Sequence, residues 1–180
     1  MKNTFARTIS TTALAIFTMV AFAQISIFAQ DAAADPSSDE QRQEESALSR
    51  RNARLLEGSW NTVVTRLDCN TGAALGTFPA MFTFSRGNTF WEAGSNTAPS
   101  LRSPSHGVWY YEGGLHYETA FQFFRFNPDG TLAGRQIVRQ DINLSRDANN
   151  YTATAAAQDL DVNGNVIRNN CSSEVGTRFE

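Results

Sequence analysis

The chain has 180 residues, with 15 Lys and Arg against 18 Asp and Glu, a formal charge of −3. Lys2 is its one lysine, and losing Lys2 and Arg7 with a leader takes the charge to −5. A mildly acidic chain without a basic patch argues against nucleic acid as a partner, because phosphate contacts need clustered cations.

Met1 to about Ala29 reads as a secretory signal: Lys2 and Arg7 form the positive start and Thr11 to Phe22 the apolar run. Val20-Ala21-Phe22-Ala23 and Ser26-Ile27-Phe28-Ala29 both offer small-residue cleavage sites. The alternative is an uncleaved anchor, since the apolar run extends to Phe28. After cleavage no stable membrane insertion is expected. Export means an oxidising compartment, where Cys69 and Cys171 are expected to pair.

Residues 30–54 form an acidic linker followed by a helix-permissive stretch from Asp39 to Leu56 without Gly or Pro. Ser38 is the expected cap, with Arg50, Arg51 and Arg54 placed where the helix dipole favours cations. Leu48, Leu55 and Leu56 are its sparse apolar positions. The stretch is either one short helix touching the domain at its C-terminal end or a solvated tether.

From Gly58 the signal is period two with turn punctuation, and residues 55–180 are long enough to bury one core. Ser59–Cys69 is the first strand, and Thr77–Ser85 the second, with Phe78, Ala80, Phe82 and Phe84 on one face. Pro79 within it predicts an edge or bulge position. Thr89–Glu92 is followed by a long loop, Ala93 to Ser105, of a length that is often functional. Gly107–Glu112 and the aromatic Leu115–Phe126 come next, and Asn127-Pro128-Asp129-Gly130 is a strong turn signal. Thr131–Leu144, Tyr151–Asp159 (slim, with Ala153, Ala155, Ala156 and Ala157) and Val166–Phe179 complete eight strands. The fold class is therefore all-β: an eight-stranded antiparallel up-and-down barrel preceded by a short helix or tether, because closure removes both sheet edges.

Closure requires the first and last strands to pair antiparallel with a constant index sum. Cys69 with Cys171 gives 240, and Trp60 with Arg178 gives 238, one diagonal step away. A Cys69–Cys171 bridge would close a loop of about 100 residues and stabilise by about 4–5 kcal/mol in the chain-entropy model. Gly58-x-Trp60 and Arg178 together resemble the calycin pattern of lipocalins, fatty-acid-binding proteins and avidins. That resemblance implies a Trp at the closed end of the barrel, a C-terminal cation packed over it, and a lumen that takes a small, partly apolar ligand.

With Trp60 inward, alternation sends Thr62, Val64, Arg66, Ser172, Glu174, Gly176 and Arg178 inward and Cys69 outward. Such a polar interior is either a wet, ligand-binding lumen or the sign of a bulge that flips part of a strand. Buried Glu and Arg would need to pair, and Glu174 with Arg66 or Arg178 is the candidate pair, against two solvated groups at an open rim. Arg135 and Arg139 share a face with Ile137 and Asp141. They either clamp an anion inside or, as is commoner for such a row, form a solvated outer face. Trp109, Tyr111, Phe121 and Phe123 either line an apolar pocket or pack as plain core.

Catalytic signals are thin. His106 and His116 lie in different elements, and a zinc site would need a third ligand that the spacing does not nominate. Asp159-x-Asp161-x-Asn163-Gly164 matches half of a calcium loop but reads better as an Asx-rich hairpin. No metal, cofactor or catalytic residue is assigned.

The leading expectation is an exported barrel that binds a small, partly apolar ligand without catalysis. Trp60, Trp109, Tyr111, Phe121 and Phe123 would supply walls, and Arg135, Arg139 or Arg178 a polar anchor. The alternatives are a small-barrel isomerase or cyclase, resembling allene oxide cyclase, with Glu174 or a Tyr as acid or base, and an envelope interaction module with a filled lumen. Oligomeric state is not written in the sequence.

Overall fold

The computed structural model describes residues 36–180; the expected signal segment lies outside them. Helix α1 spans Pro36–Asn52. It therefore begins before Ser38, which lies inside the first turn instead of capping it, and Pro36 opens the helix where a missing N–H costs nothing. Residues from Glu40 to Arg51 are exposed, Leu48 included. The helix is held at its C-terminal end, where the carbonyl of Asn52 accepts the hydroxyl of Tyr117.

Eight strands follow: β1 (Gly58–Leu67), β2 (Ala74–Ser85), β3 (Thr89–Gly94), β4 (His106–Gly113), β5 (His116–Phe126), β6 (Leu132–Leu144), β7 (Asn150–Leu160) and β8 (Val166–Arg178). Each pairs antiparallel with its neighbour in sequence, and β1 pairs with β8, so the sheet is a closed up-and-down barrel. Burial alternates along the strands as period two demands: Trp60, Thr62 and Val64 are buried on β1 between exposed Ser59, Asn61 and Val63.

The closing seam runs at a constant sum of 238, from Trp60↔Arg178 to Leu67↔Cys171. The cysteines thus do not face each other across the ladder. Cys69 lies two residues past the last pair and reaches Cys171 diagonally, with 5.3 Å between the Cα atoms. The bulge that β1 makes against β2 falls between Arg66 and Leu67, at this same end.

Pro79 sits in unbroken register with Val63, without a bulge. Its carbonyl, and hence its nitrogen, faces β3, but it lies just past the last β2–β3 pair, Ala80↔Gly94. There the backbone N–H and hydroxyl of Ser95 both donate to its carbonyl, so the missing N–H interrupts no ladder.

The thinnest seam is between β3 and β4, which pair at Thr89↔Val108 and Phe90↔Gly107. Beyond that point the strands part, and the loop with its short 3-10 turn Pro99–Leu101 fills the gap. Ser105 bridges the opening: its hydroxyl and backbone N–H both donate to the carbonyl of Glu92, and its Oγ accepts the N–H of Glu92. Arg102 makes an isolated bridge to Arg125 on β5. Gly107 on β4 lies close against β5, where a Cβ would collide with the backbone and Cβ at Ala120 and Phe121.

One half of the lumen is filled by aromatics. Phe82, Phe84, Phe90, Phe121, Trp109, Tyr117, Tyr151 and Trp60 are all buried and meet mostly edge to face, as at Phe82–Phe90 (5.2 Å) and Trp60–Tyr151 (5.1 Å). Gly176 is what lets Tyr151 lie across β8, since a Cβ there would overlap its ring.

Candidate functional site

The lumen has a floor and a mouth. At the floor the Arg178 guanidinium stacks on Trp60 at 4.3 Å, the packing that the calycin resemblance implies. It also donates to three backbone carbonyls: Leu55 (2.6 Å), Glu57 (2.8 Å) and Ala148 (2.9 Å). The Trp60 indole N–H donates to the carbonyl of Leu56, whose side chain is fully buried. Three separate segments are thus tied across this end, and the floor is closed.

Above the aromatic layer the inward residues turn polar. Glu92 on β3 and Arg102 from the loop form a buried pair, with Nη2–Oε2 at 2.5 Å and Nη1–Oε1 at 3.3 Å. The Arg102 guanidinium also lies 3.8 Å over the Phe123 ring. Desolvation raises the Glu92 carboxyl, and the charge of Arg102 pulls it back. Glu174 on β8, also buried, accepts from the Gln140 amide (2.7 Å), whose oxygen in turn accepts from Thr119 (2.5 Å). Burial pushes Glu174 up to about 7; the Gln140 hydrogen bond opposes the rise, and the nearby Glu92 adds to it.

Between these groups and the mouth lies a cavity of about 160 Å³. Val64, Phe78, Phe82, Phe121, Phe123 and Val138 give it apolar walls; Glu92, Glu174, Arg66, Arg102, Arg168 and Asn170 bring charge and hydrogen bonds to it. Ala157 and Ser172 also line it, and the pair Ala155↔Ser172 stands beside them: the slim inward row of β7 and its β8 partner leave the space open. A second recess of about 230 Å³ adjoins at the mouth, sharing Asn96, Arg102, Phe123, Gln136 and Arg168 and adding Arg125. Asp159, fully buried, gathers the Gln136 amide (2.5 Å) and Arg168 Nε (2.8 Å) and Nη2 (2.5 Å).

The residues expected to form a site are distributed as follows. Phe121 and Phe123 line the cavity. Trp60, Trp109 and Arg178 belong to the floor and core, where the Trp109 indole donates to the carbonyl of Ser85 and Tyr111 stacks on Tyr117. Arg135 and Arg139 are exposed on the outer face, away from the lumen, and Gln136, Val138, Gln140 and Ile142 occupy the opposite, inward face of β6. Glu174 pairs with no arginine: its partner is Gln140, because Arg178 is committed to the floor and Arg66 stands exposed at the rim. Half of the supposed calcium loop is used elsewhere too, since Asp159 is inside the barrel while Asp161 accepts the N–H groups of Asn163 and Asn165 in an Asx turn.

Glu92, Arg102, Gln136, Gln140, Asp159 and Arg168 are polar residues of the lumen and its mouth that strand periodicity did not single out. On the outer wall, His116 meets two carboxylates that spacing did not nominate, Glu118 and Asp141, with His116 Nε2 3.5 Å from Asp141. His106 stacks on Trp91 at 4.3 Å.

No protein-family model matches the chain, and no curated protein or solved structure matches it either. Among the described residues no helix is long and apolar enough to cross a membrane. The disulfide is consistent with an oxidising environment.

Proposed function

We propose that this is an exported, calycin-like barrel that binds a small, partly apolar ligand in its lumen and performs no chemistry on it. The observation that carries this reading is the cavity of about 160 Å³ between a sealed aromatic floor and a charged mouth. A cavity of roughly that size holds a benzene-sized molecule. Apolar walls with a few convergent polar groups are the usual make-up of a ligand site. A barrel serving only as an interaction module has no need of such a space. Export rests on the leader-like first 29 residues and agrees with the disulfide.

The test is native mass spectrometry of protein purified from its own source, beside a Val138→Trp variant that fills the cavity. A retained small molecule, present in the natural chain and absent from the folded variant, is the expected result. A ligand retained equally by both would place binding outside the lumen and overturn the reading.

One observation favours a second reading, a small-barrel isomerase. Glu174 is a buried carboxyl at the cavity wall, held near neutrality as a general acid or base would be. Conversion of the retained molecule by the natural chain, lost in Glu174→Gln while binding persists, would establish this reading over the first.

A further inference from the structure

Two buried side-chain atoms have no hydrogen-bond partner within the protein, Arg125 Nη1 and Asn170 Nδ2, among the described residues. Both are donors, and both belong to the mouth: Asn170 lines the cavity and Arg125 the adjoining recess. Buried donors are almost always paired, because an unmade bond costs about 1–3 kcal/mol. Two at one end of one lumen mark that end as the place where the protein leaves its own polar bonding incomplete.

The charges at the mouth point the same way. Arg102 is matched by Glu92, and Arg168 by Asp159. Arg125 lies 3.6 Å from the Asp159 oxygen that Arg168 already holds, and Arg66 has no ion-pair partner among the described residues. Even with Glu174 of the cavity wall counted beside Glu92 and Asp159, four arginines stand against three carboxylates here. Deeper in, the walls are Phe82, Phe121 and Val138, so an inorganic anion would leave apolar surface uncovered.

Resting on the lumen reading above, we infer that the ligand is a small organic monoanion. A carboxylate bonds at the mouth with Arg125 and Asn170, and an apolar body about the size of a benzene ring lies inward against Phe121 and Val138. The planar guanidinium of Arg125 suits a carboxylate, and the Asn170 amide takes its second oxygen.

Benzoate, benzamide, benzylammonium, benzene and inorganic phosphate are the probes, each titrated calorimetrically into the folded, disulfide-intact chain. Benzoate is expected to bind at least tenfold more tightly than benzamide, with benzylammonium showing no binding. Asn170→Leu and Arg125→Met should each weaken benzoate at least fivefold while leaving benzene affinity within twofold. That second readout separates a lost anchor from a damaged fold.

Equal affinity for benzoate and benzylammonium, phosphate binding as tightly as benzoate, or benzoate affinity unchanged in both variants would each overturn the inference. If benzene binds and Val138→Trp abolishes it while benzoate gains nothing over benzamide, the anion inference fails and the lumen reading stands. Absence of binding by every probe, with Val138→Trp indistinguishable from the natural chain, would sink both.

Discussion

At the floor of the barrel Arg178 donates to three backbone carbonyls and covers Trp60. At the mouth Arg66, Arg102, Arg125 and Arg168 have Glu92 and Asp159 between them, and two donors go unmatched. Both ends use arginine, the cation best suited to partial burial. The floor satisfies its arginine with three neutral carbonyls from two other segments, so the group acts as a tie. The mouth leaves its arginines partly unanswered and lined up along a cavity. Which end a residue serves follows from how completely its hydrogen bonds are made inside the protein.

The comparison can be sharpened by cutting each end separately. The largest effect is expected at the mouth-side staple: the disulfide joins residues 102 apart, and Cys69→Ala with Cys171→Ala should cost about 4–5 kcal/mol in urea unfolding. A loss below about 1 kcal/mol would mean that the ladder alone holds this end.

Next comes the floor. Arg178→Ala should cost about 3 kcal/mol, because it orphans three carbonyls and uncovers Trp60, while ligand affinity of the folded fraction stays put. A variant that kept its stability but lost binding would invert the division between the two ends.

Glu174→Gln probes the layer between them. The folded chain keeps a proton on Glu174 up to about 7, against 4.5 for the free group, whereas the unfolded chain has already released it. The stability tied to that proton is fully present below about 4.5 and declines as pH rises towards 7, by at most about 3 kcal/mol. Gln keeps a neutral partner for Gln140, so the variant should match the natural chain near pH 4.5 and exceed it by about 1–3 kcal/mol at pH 8. Identical pH profiles in thermal unfolding would show that Glu174 is not buried as described.

The smallest effect is on the outer face: Arg135→Ala and Arg139→Ala should each change stability by less than about 0.5 kcal/mol and binding not at all. A loss of binding in either would put the site outside the lumen.

Much of the architecture was legible because strands announce themselves locally. The eight alternating runs and turns such as Asn127-Pro128-Asp129-Gly130 need no long-range information, and Gly130 does adopt a left-handed φ of 83°. The seam register was half legible: Trp60 and Arg178 have the right sum, but the cysteine pair suggested one two units away, because a disulfide can span a diagonal. The polar lumen was less accessible. Arg102 comes from a loop, to which alternation does not apply, and enters where β3 and β4 separate. Gln140 on β6 meets Glu174 on β8 over the small Ala153 and Ala155 of the intervening β7, a contact between second-neighbour strands that no spacing along the chain reports. The one available signal was the slim row Ala153, Ala155 and Ala157, which marks where side chains leave space.

The short β3–β4 pairing has a kinetic consequence. A closed ring of strands cannot open gradually from an edge; some ladder must break first, and the one with least backbone bonding breaks most often. Here that is the junction at Thr89 and Phe90, completed by Ser105 in place of further rungs. Amide hydrogens on either side of it should exchange with solvent well ahead of those on β6 and β7, and such lateral parting would give a guest a way in that leaves Arg178 and the floor undisturbed.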